Sequence, residues 1–199
     1  MKFYFVRHAD KAKGDYFNPQ LRHDDQPISE FGRKQASKIK KCFHKHAIKS
    51  IYVSEYIRTE QTARPLARTL EIAPIVDHRL NEIDIGTIDR LSDDEIREKY
   101  PEVWHASQDR NRDFRWPEGE TGSEAQERIV GFINEQINQE GSILIVSHDG
   151  IIRLLISYIL GLPVYRRFSL QVDTASVTEI EWDRAKSRWK LIRVNQRLI

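Results

Sequence analysis

Apolar positions along the chain follow two distinct periods. Phe3-Tyr4-Phe5-Val6 and Ile143-Leu144-Ile145-Val146 are apolar at every position, the pattern of strands covered on both faces. Ile51-Tyr52-Val53 is a shorter run of the same kind, and Ile75-Val76 marks a further strand. Between these runs the period lengthens to that of a helix. Ala36, Ile39, Phe43 and Ala47 form one stripe behind Ser29-Glu30-Phe31-Gly32, which reads as a helix start. A second helix is predicted from about residue 59 to 70, and Ala125, Ile129, Phe132, Ile133 and Ile137 mark another. Residues 150–160 form one stopped by Gly161 and Pro163, and residues 92–99 one ended by Pro101.

At the C-terminal end, residues 177–182 and 188–194 flank a turn at 183–187 and predict a hairpin, with Glu179 and Glu181 facing Arg188 and Lys190. Residues 9–27 read as a polar loop and most of 80–122 as irregular. The stretch 110–122 is long enough to suggest function. Alternating strands and helices predict an α/β fold with helices on both faces of the sheet. We expect a three-layer α/β/α sandwich with a largely parallel mixed sheet, forming one domain over residues 1–199.

Composition narrows the class only modestly. The 199 residues are 31% charged and 39% hydrophobic, ordinary for a globular protein. The net charge of +2 gives no general case for nucleic acid or a membrane surface. Cys42 is the only cysteine, so no intrachain disulfide forms, in keeping with a reducing compartment. The N-terminal apolar run is too short for a secretory signal, and no stretch approaches the ~18 apolar residues of a membrane span. A soluble, cytoplasmic protein is expected. Cys42, His44 and His46 fit no standard zinc spacing, and the basic run 184–193 reads as a solvated hairpin face.

The chemistry gathers at strand ends. Phe3-Tyr4-Phe5-Val6 runs into Arg7-His8, and Ile143-Leu144-Ile145-Val146 into Ser147-His148-Asp149-Gly150. In an open parallel sheet the carboxyl ends of strands line the ligand crevice. Neighbouring strands would therefore bring His8 and His148 together beside Arg7. Ile51-Tyr52-Val53 ends in Ser54, with Arg58 four residues on, which places a second guanidinium at the same edge. Two guanidinium groups suit a phosphate dianion, because their planar donors match its oxygens and stay charged. The helix after His148 would turn its free N–H groups the same way. A neutral imidazole is nucleophilic near pH 7. Glu82, in Leu80-Asn81-Glu82-Ile83-Asp84-Ile85-Gly86, is the candidate proton donor, with Asp84 its nearest rival.

The ordered set Arg7-His8, Arg58-Thr59-Glu60-Gln61-Thr62-Ala63, Glu82-Ile83-Asp84-Ile85-Gly86 and Ser147-His148-Asp149-Gly150 resembles the histidine phosphatase superfamily, the phosphoglycerate mutase-like proteins. Asp25-Gln26-Pro27-Ile28-Ser29-Glu30-Phe31-Gly32-Arg33-Lys34-Gln35-Ala36 is similar to the family's Leu-[Ser/Thr]-x-x-Gly-x-x-Gln-Ala segment. Trp116-Pro117-Glu118-Gly119-Glu120-Thr121, with Arg128 seven residues on, resembles its Pro-x-Gly-Glu-Ser segment. The resemblance implies that His8 is the phosphorylated nucleophile. Arg7, Arg58 and His148 would complete the phosphate pocket, and Glu82 would be the general acid and base. It implies no metal or organic cofactor.

The chain departs from the pattern at Ala9, where Gly is usual, and at Asp10-Lys11 in place of Glu-Thr. Asn18 is a distant stand-in for the usual Asn, so Lys11 or Lys13 could supply that contact. Ile88 and Arg90 replace a Trp and a Gly. The expected activity is metal-independent hydrolysis of a phosphate monoester through phosphohistidine, with His148 cationic. The partner would be a small phosphorylated substrate or a phosphoprotein, with neither nucleic acid nor membrane; the oligomeric state is open. Two rivals differ in what they predict: a mutase passing phosphate within glycerate, and a weakly catalytic module that only binds phospholigands.

Overall fold

The structure, a computed structural model, describes residues 1–198. Ile199, the last residue of the expected domain, lies outside the described residues. Eight strands are present among the described residues: β1 (Lys2–Arg7), β2 (Phe17–Asn18), β3 (His23–Asp24), β4 (Ile48–Val53), β5 (Ile75–Val76), β6 (Ser142–Ser147), β7 (Val177–Asp183) and β8 (Arg188–Gln196). The helices are α1 (Glu30–Phe43), α2 (Ile57–Leu70), α3 (Asp93–Lys99), α4 (Pro101–Asp109), α5 (Gly122–Gln136) and α6 (Asp149–Ile159).

Six strands form one sheet in the order β5-β4-β6-β1-β7-β8. β5, β4, β6 and β1 run parallel, and β7 and β8 are antiparallel. The α/β sandwich expected from the sequence is thus present, C-terminal hairpin included. Side chains alternate across each strand, and the two central runs divide accordingly. Phe3, Phe5, Ile143 and Ile145 pack with Ile129, Phe132, Ile152 and Leu155 of α5 and α6. Tyr4, Val6, Leu144 and Val146 pack on the other face with Ile39, Phe43, Ala63 and Leu66 of α1 and α2. A strand that feeds both cores has no polar position to spare, which is why these runs are apolar throughout.

Three expectations need correction. Pro101 does not simply end a helix; it also stands at the first turn of α4, where its missing N–H costs nothing. The 9–27 loop contains the two-residue pairing of β2 with β3. In the hairpin, Glu181 does face Lys190, but Glu179 pairs with Arg193 and Asp183 with Arg188, because the register shifts on either side of Glu179. Among the described residues no helix is long and apolar enough to cross a membrane, and no cluster of three potential metal ligands occurs.

Candidate active site

The parallel register of β1 and β6 builds the site. Arg7 lies opposite Ser147, and the ladder continues as the His8 N–H donates to the Ser147 carbonyl (2.9 Å). His8 and His148 therefore leave adjacent strands side by side, with ring centroids 5.2 Å apart. β4 flanks β6, with Val53 opposite Val146, so Ser54 arrives at the same edge. The juxtaposition expected from the strand ends is present: Arg7, His8, Arg58 and Glu82 line one cleft of about 420 Å³, with His148 fully buried directly behind.

The hydrogen bonds assign the imidazole protons. His8 Nδ1 lies 2.8 Å from the Ala9 carbonyl, which can only accept, so Nδ1 carries the proton and Nε2 keeps its lone pair. His148 Nδ1 faces Arg58 Nη2 at 3.4 Å. Arg donates only, so this proton sits on Nε2 and goes to Ser54 Oγ, 2.8 Å away. Burial first, and the Arg58 charge next, push both imidazoles well below the ordinary histidine pKa. His8 is a neutral base, as a nucleophile must be. The expected cationic His148 is not what the structure holds: with Arg58 against Nδ1 and the ring fully buried, a second positive charge is disfavoured.

The guanidinium groups are held but not saturated. Arg7 Nη1 donates to the Val172 carbonyl (2.6 Å) and Arg58 Nη1 to that of Asp24 (3.2 Å). Arg58 also stacks over the Tyr56 ring at 4.1 Å. Among the described residues its only carboxylate neighbour within ion-pair reach is Asp25, at 3.8 Å. The buried Nε of each arginine has no partner among the described residues, which is unusual for buried donors and suits a ligand rich in acceptors.

The remaining motif residues are scaffold. Thr62 Oγ1 accepts the Ala9 N–H (2.9 Å) and Gln35 Oε1 the Asp10 N–H (2.8 Å), fixing the chain immediately after His8. Arg128 grips Glu120 and donates to the Glu82 carbonyl (3.1 Å), while Glu120 accepts the Asp84 N–H (2.9 Å). Gly86, at φ +61°, lies so close to this segment that a Cβ would sit 1.9 Å from the Pro117 carbonyl. The loop carrying Glu82 is thus pinned from below. Its carboxylate meets the Gly150 N–H at the start of α6 (3.4 Å); a side chain at 150 would strike it, at 2.6 Å. Asp84, the rival of Glu82, turns away to the Gly86 N–H (2.7 Å) and to His23.

His23 escaped the sequence reading. It is 7% exposed, with Nε2 3.2 Å from Asp84 and Nδ1 3.2 Å from Asp89. Both nitrogens need protons to serve two carboxylates. Burial opposes the charge, but hydrogen bonding and attraction from Asp89 and then Asp84 outweigh it, and the pKa is raised. Asp89 in turn accepts the Asp24 N–H (3.0 Å), so this clamp supports the carbonyl that holds Arg58. Also missed as cleft-lining residues were Asp149, Arg153, Arg167 and Phe168. Asp24, Gln26 and Trp116 line the cleft as well, and of the two lysines offered for a pocket contact Lys11 lines it and Lys13 does not.

A family model for the histidine phosphatase superfamily (branch 1) matches residues 3–196. The chain belongs to this superfamily. A probable phosphoglycerate mutase GpmB of Cronobacter sakazakii is 30% identical over 191 residues, covering 93% of this chain and 86% of the relative. Phosphoserine phosphatase 1 of Hydrogenobacter thermophilus is 27% identical over 192 residues, covering 94% and 89%. Among solved structures, a mycobacterial glucosyl-3-phosphoglycerate phosphatase superposes with a TM-score of 0.81 at 25% identity, covering 98% of each chain. A putative alpha-ribazole-5'-P phosphatase from Escherichia coli reaches 0.84 at 21%, covering 100% of this chain and 98% of that one, and speaks for the fold alone. For this histidine phosphatase superfamily member, the neighbours named as phosphatases and the relative named as a mutase share one enzymatic frame.

Proposed function

We propose that the protein hydrolyses phosphate monoesters through a phosphohistidine on His8. The observation that carries this reading is the free Nε2 of a buried, neutral His8 beside Arg7 and Arg58, whose inner donors lack protein partners. Nε2 attacks phosphorus as the bond to the leaving oxygen breaks, and protonated Glu82 gives that oxygen its proton. Water then attacks phosphorus with the Glu82 carboxylate taking its proton, the P–N bond breaks, and inorganic phosphate leaves. Arg7 and Arg58 balance the charge spreading over the equatorial oxygens, a contribution of several kcal/mol in a dry site. His148 holds Arg58 through Nδ1; a dianion bound alongside would draw a proton onto that nitrogen.

Phosphoryl transfer within glycerate is the second reading, favoured by the mutase name of the C. sakazakii relative. Incubation with 3-phosphoglycerate separates the two. Release of inorganic phosphate supports hydrolysis, whereas clean conversion to the 2-isomer with little free phosphate would replace it with the mutase reading. Rapid quench with a labelled monoester tests the nucleophile. Acid-labile label should stay on the wild-type chain, and label retained by His8→Asn would refute the assignment.

A further inference from the structure

Arg58 is aimed by a segment with little regular structure of its own. Its Nη1 donates to the Asp24 carbonyl, and Asp24 lies in the loop after His8, where β2 pairs with β3 over only two residues. Two ties hold that carbonyl in place. In one, Asp25 Oδ1 accepts the Ile57 N–H at the start of α2 (2.8 Å).

The other tie runs through a single imidazole. The Asp24 N–H donates to Asp89 Oδ2 (3.0 Å), Asp89 Oδ1 lies 3.2 Å from His23 Nδ1, and His23 Nε2 lies 3.2 Å from Asp84 Oδ1. Asp84 is itself anchored, because Oδ1 also accepts the Gly86 N–H (2.7 Å) within the loop that Arg128 and Glu120 pin. The foothold of Arg58 is thereby fastened to the loop that carries Glu82.

This tie needs two protons on one ring. A neutral imidazole has a single N–H, so with a carboxylate at each nitrogen one contact would become a meeting of lone pairs. Acids are in excess around it. Asp24 adjoins His23 in β3, and its buried Oδ1 has no hydrogen-bond partner among the described residues. Arg22 and Arg90, next in sequence to His23 and Asp89, are turned to Glu118 and Asp15. The other titratable or charged neighbours are Tyr56, with its ring centre 6.1 Å away, Arg58 over that ring, and Lys11 and Glu82 in the same cleft lining. Burial opposes the imidazolium, but Asp89 and then Asp84 outweigh it and raise its pKa.

We propose that His23, bonded at both ring nitrogens, is a positioning residue that holds the Asp24 carbonyl on Arg58, so that the phosphate pocket is fully assembled only while the ring keeps both protons. The proposal rests on Arg58 as a phosphate ligand in the hydrolase reading and deepens it.

Tungstate binding, followed by calorimetry, tests it without turnover. The probe stays a dianion over about pH 7–10, where unperturbed Asp, Glu and Arg do not titrate. Wild-type affinity should fall with rising pH by about fivefold or more, the size of an ordinary coupling between two sites. His23→Gln should bind more weakly at neutral pH and lose most of that fall. Asp84→Asn keeps an acceptor for the Gly86 N–H but takes a charge from His23, so the fall should move to lower pH. A double-mutant cycle reads the route. In Arg58→Lys, which keeps the charge and loses the fork, His23→Gln should cost little further affinity.

A wild-type affinity that ignores pH would overturn the tie. So would a fall that persists undiminished in folded His23→Gln, which would belong to another group such as Lys11, or one that stays in place in Asp84→Asn. An undiminished cost of His23→Gln in Arg58→Lys would overturn it too, since His23 would then act on the anion directly. Absence of tungstate binding at every pH would sink the phosphate pocket and the tie together. The expected pH dependence without hydrolysis of any monoester would uphold the tie and sink only the hydrolase reading.

Discussion

Two regions of this cleft hold buried histidines whose pKa values are pushed in opposite directions. His8 and His148 are 4% and 0% exposed, and His23 is 7% exposed, so burial alone does not separate them. Their neighbours do. The first pair faces Arg58, with Arg7 adding to it at His8, and stays neutral. His23 sits between Asp84 and Asp89 and holds its proton. One residue type is thus held towards the neutral form in one place, as the proposed nucleophile requires, and towards the charged form in another, with the local field deciding which. The neutral pair belongs to the proposed reacting centre, whereas the charged one braces the wall that carries Arg58 and Glu82.

The most damaging way to break this arrangement is to remove the proposed nucleophile. His8→Asn should lower kcat by roughly 10⁴-fold or more, measured as phosphate release from a monoester that the wild type turns over. Arg58→Gln comes next. Losing its charge stabilisation should cost roughly 10²–10³-fold in kcat/KM. It should also move the pH profile. Arg58 helps hold the His8 pKa down, so without it that pKa rises and the acid limb of residual activity shifts to higher pH. An unmoved limb would mean that burial alone keeps His8 neutral.

The contrast also explains what could be read from the chain beforehand. His8 and His148 were legible because each follows four consecutive apolar residues. Two such runs must be central parallel strands, and parallel neighbours bring their carboxyl ends together. His23 was not legible, because Asp84 and Asp89 lie about sixty residues away and meet it only through the packing of two irregular segments. Pro101 misled because a proline that stops one helix is equally suited to open the next. Local periodicity thus announced the sheet and the meeting of His8 with His148, whereas the charged wall arises from long-range contacts between loops.

His23→Gln should sharpen the comparison through stability. Leaving two partly buried carboxylates without their shared cation should cost about 1–3 kcal/mol, read from denaturant unfolding. The sign of the pH dependence follows from the raised pKa. A group that binds its proton more tightly when folded contributes fully below its unfolded pKa of about 6.5, and loses that contribution as pH rises through the folded value. The gap between wild type and variant should therefore be widest near pH 6 and narrow in alkali. His8 and His148 act in the opposite sense. Their depressed folded pKa values make the fold lose stability as pH falls below about 6.5, and His8→Asn should soften that acid loss.

The smallest effect belongs to a carboxylate whose partners are exposed. Glu179 on β7 is 4% exposed and is met by Lys2 and Arg193, each at 3.4 Å, whose side chains are 48% and 57% exposed. Water solvates both cations and either can stand in for the other, so Arg193→Ala should cost at most about 1 kcal/mol. Salt separates this pair from the clamp at His23. Exposed pairs are screened within a Debye length of about 3 Å at 1 M, buried ones far less. Repeating both unfolding series in 1 M NaCl should erase most of the Arg193→Ala deficit and leave most of that of His23→Gln. If salt reduced both alike, the carboxylates around His23 would have to be as well solvated as the edge of the sheet, and the division of the cleft into a neutral and a charged half would no longer follow from burial and neighbours together.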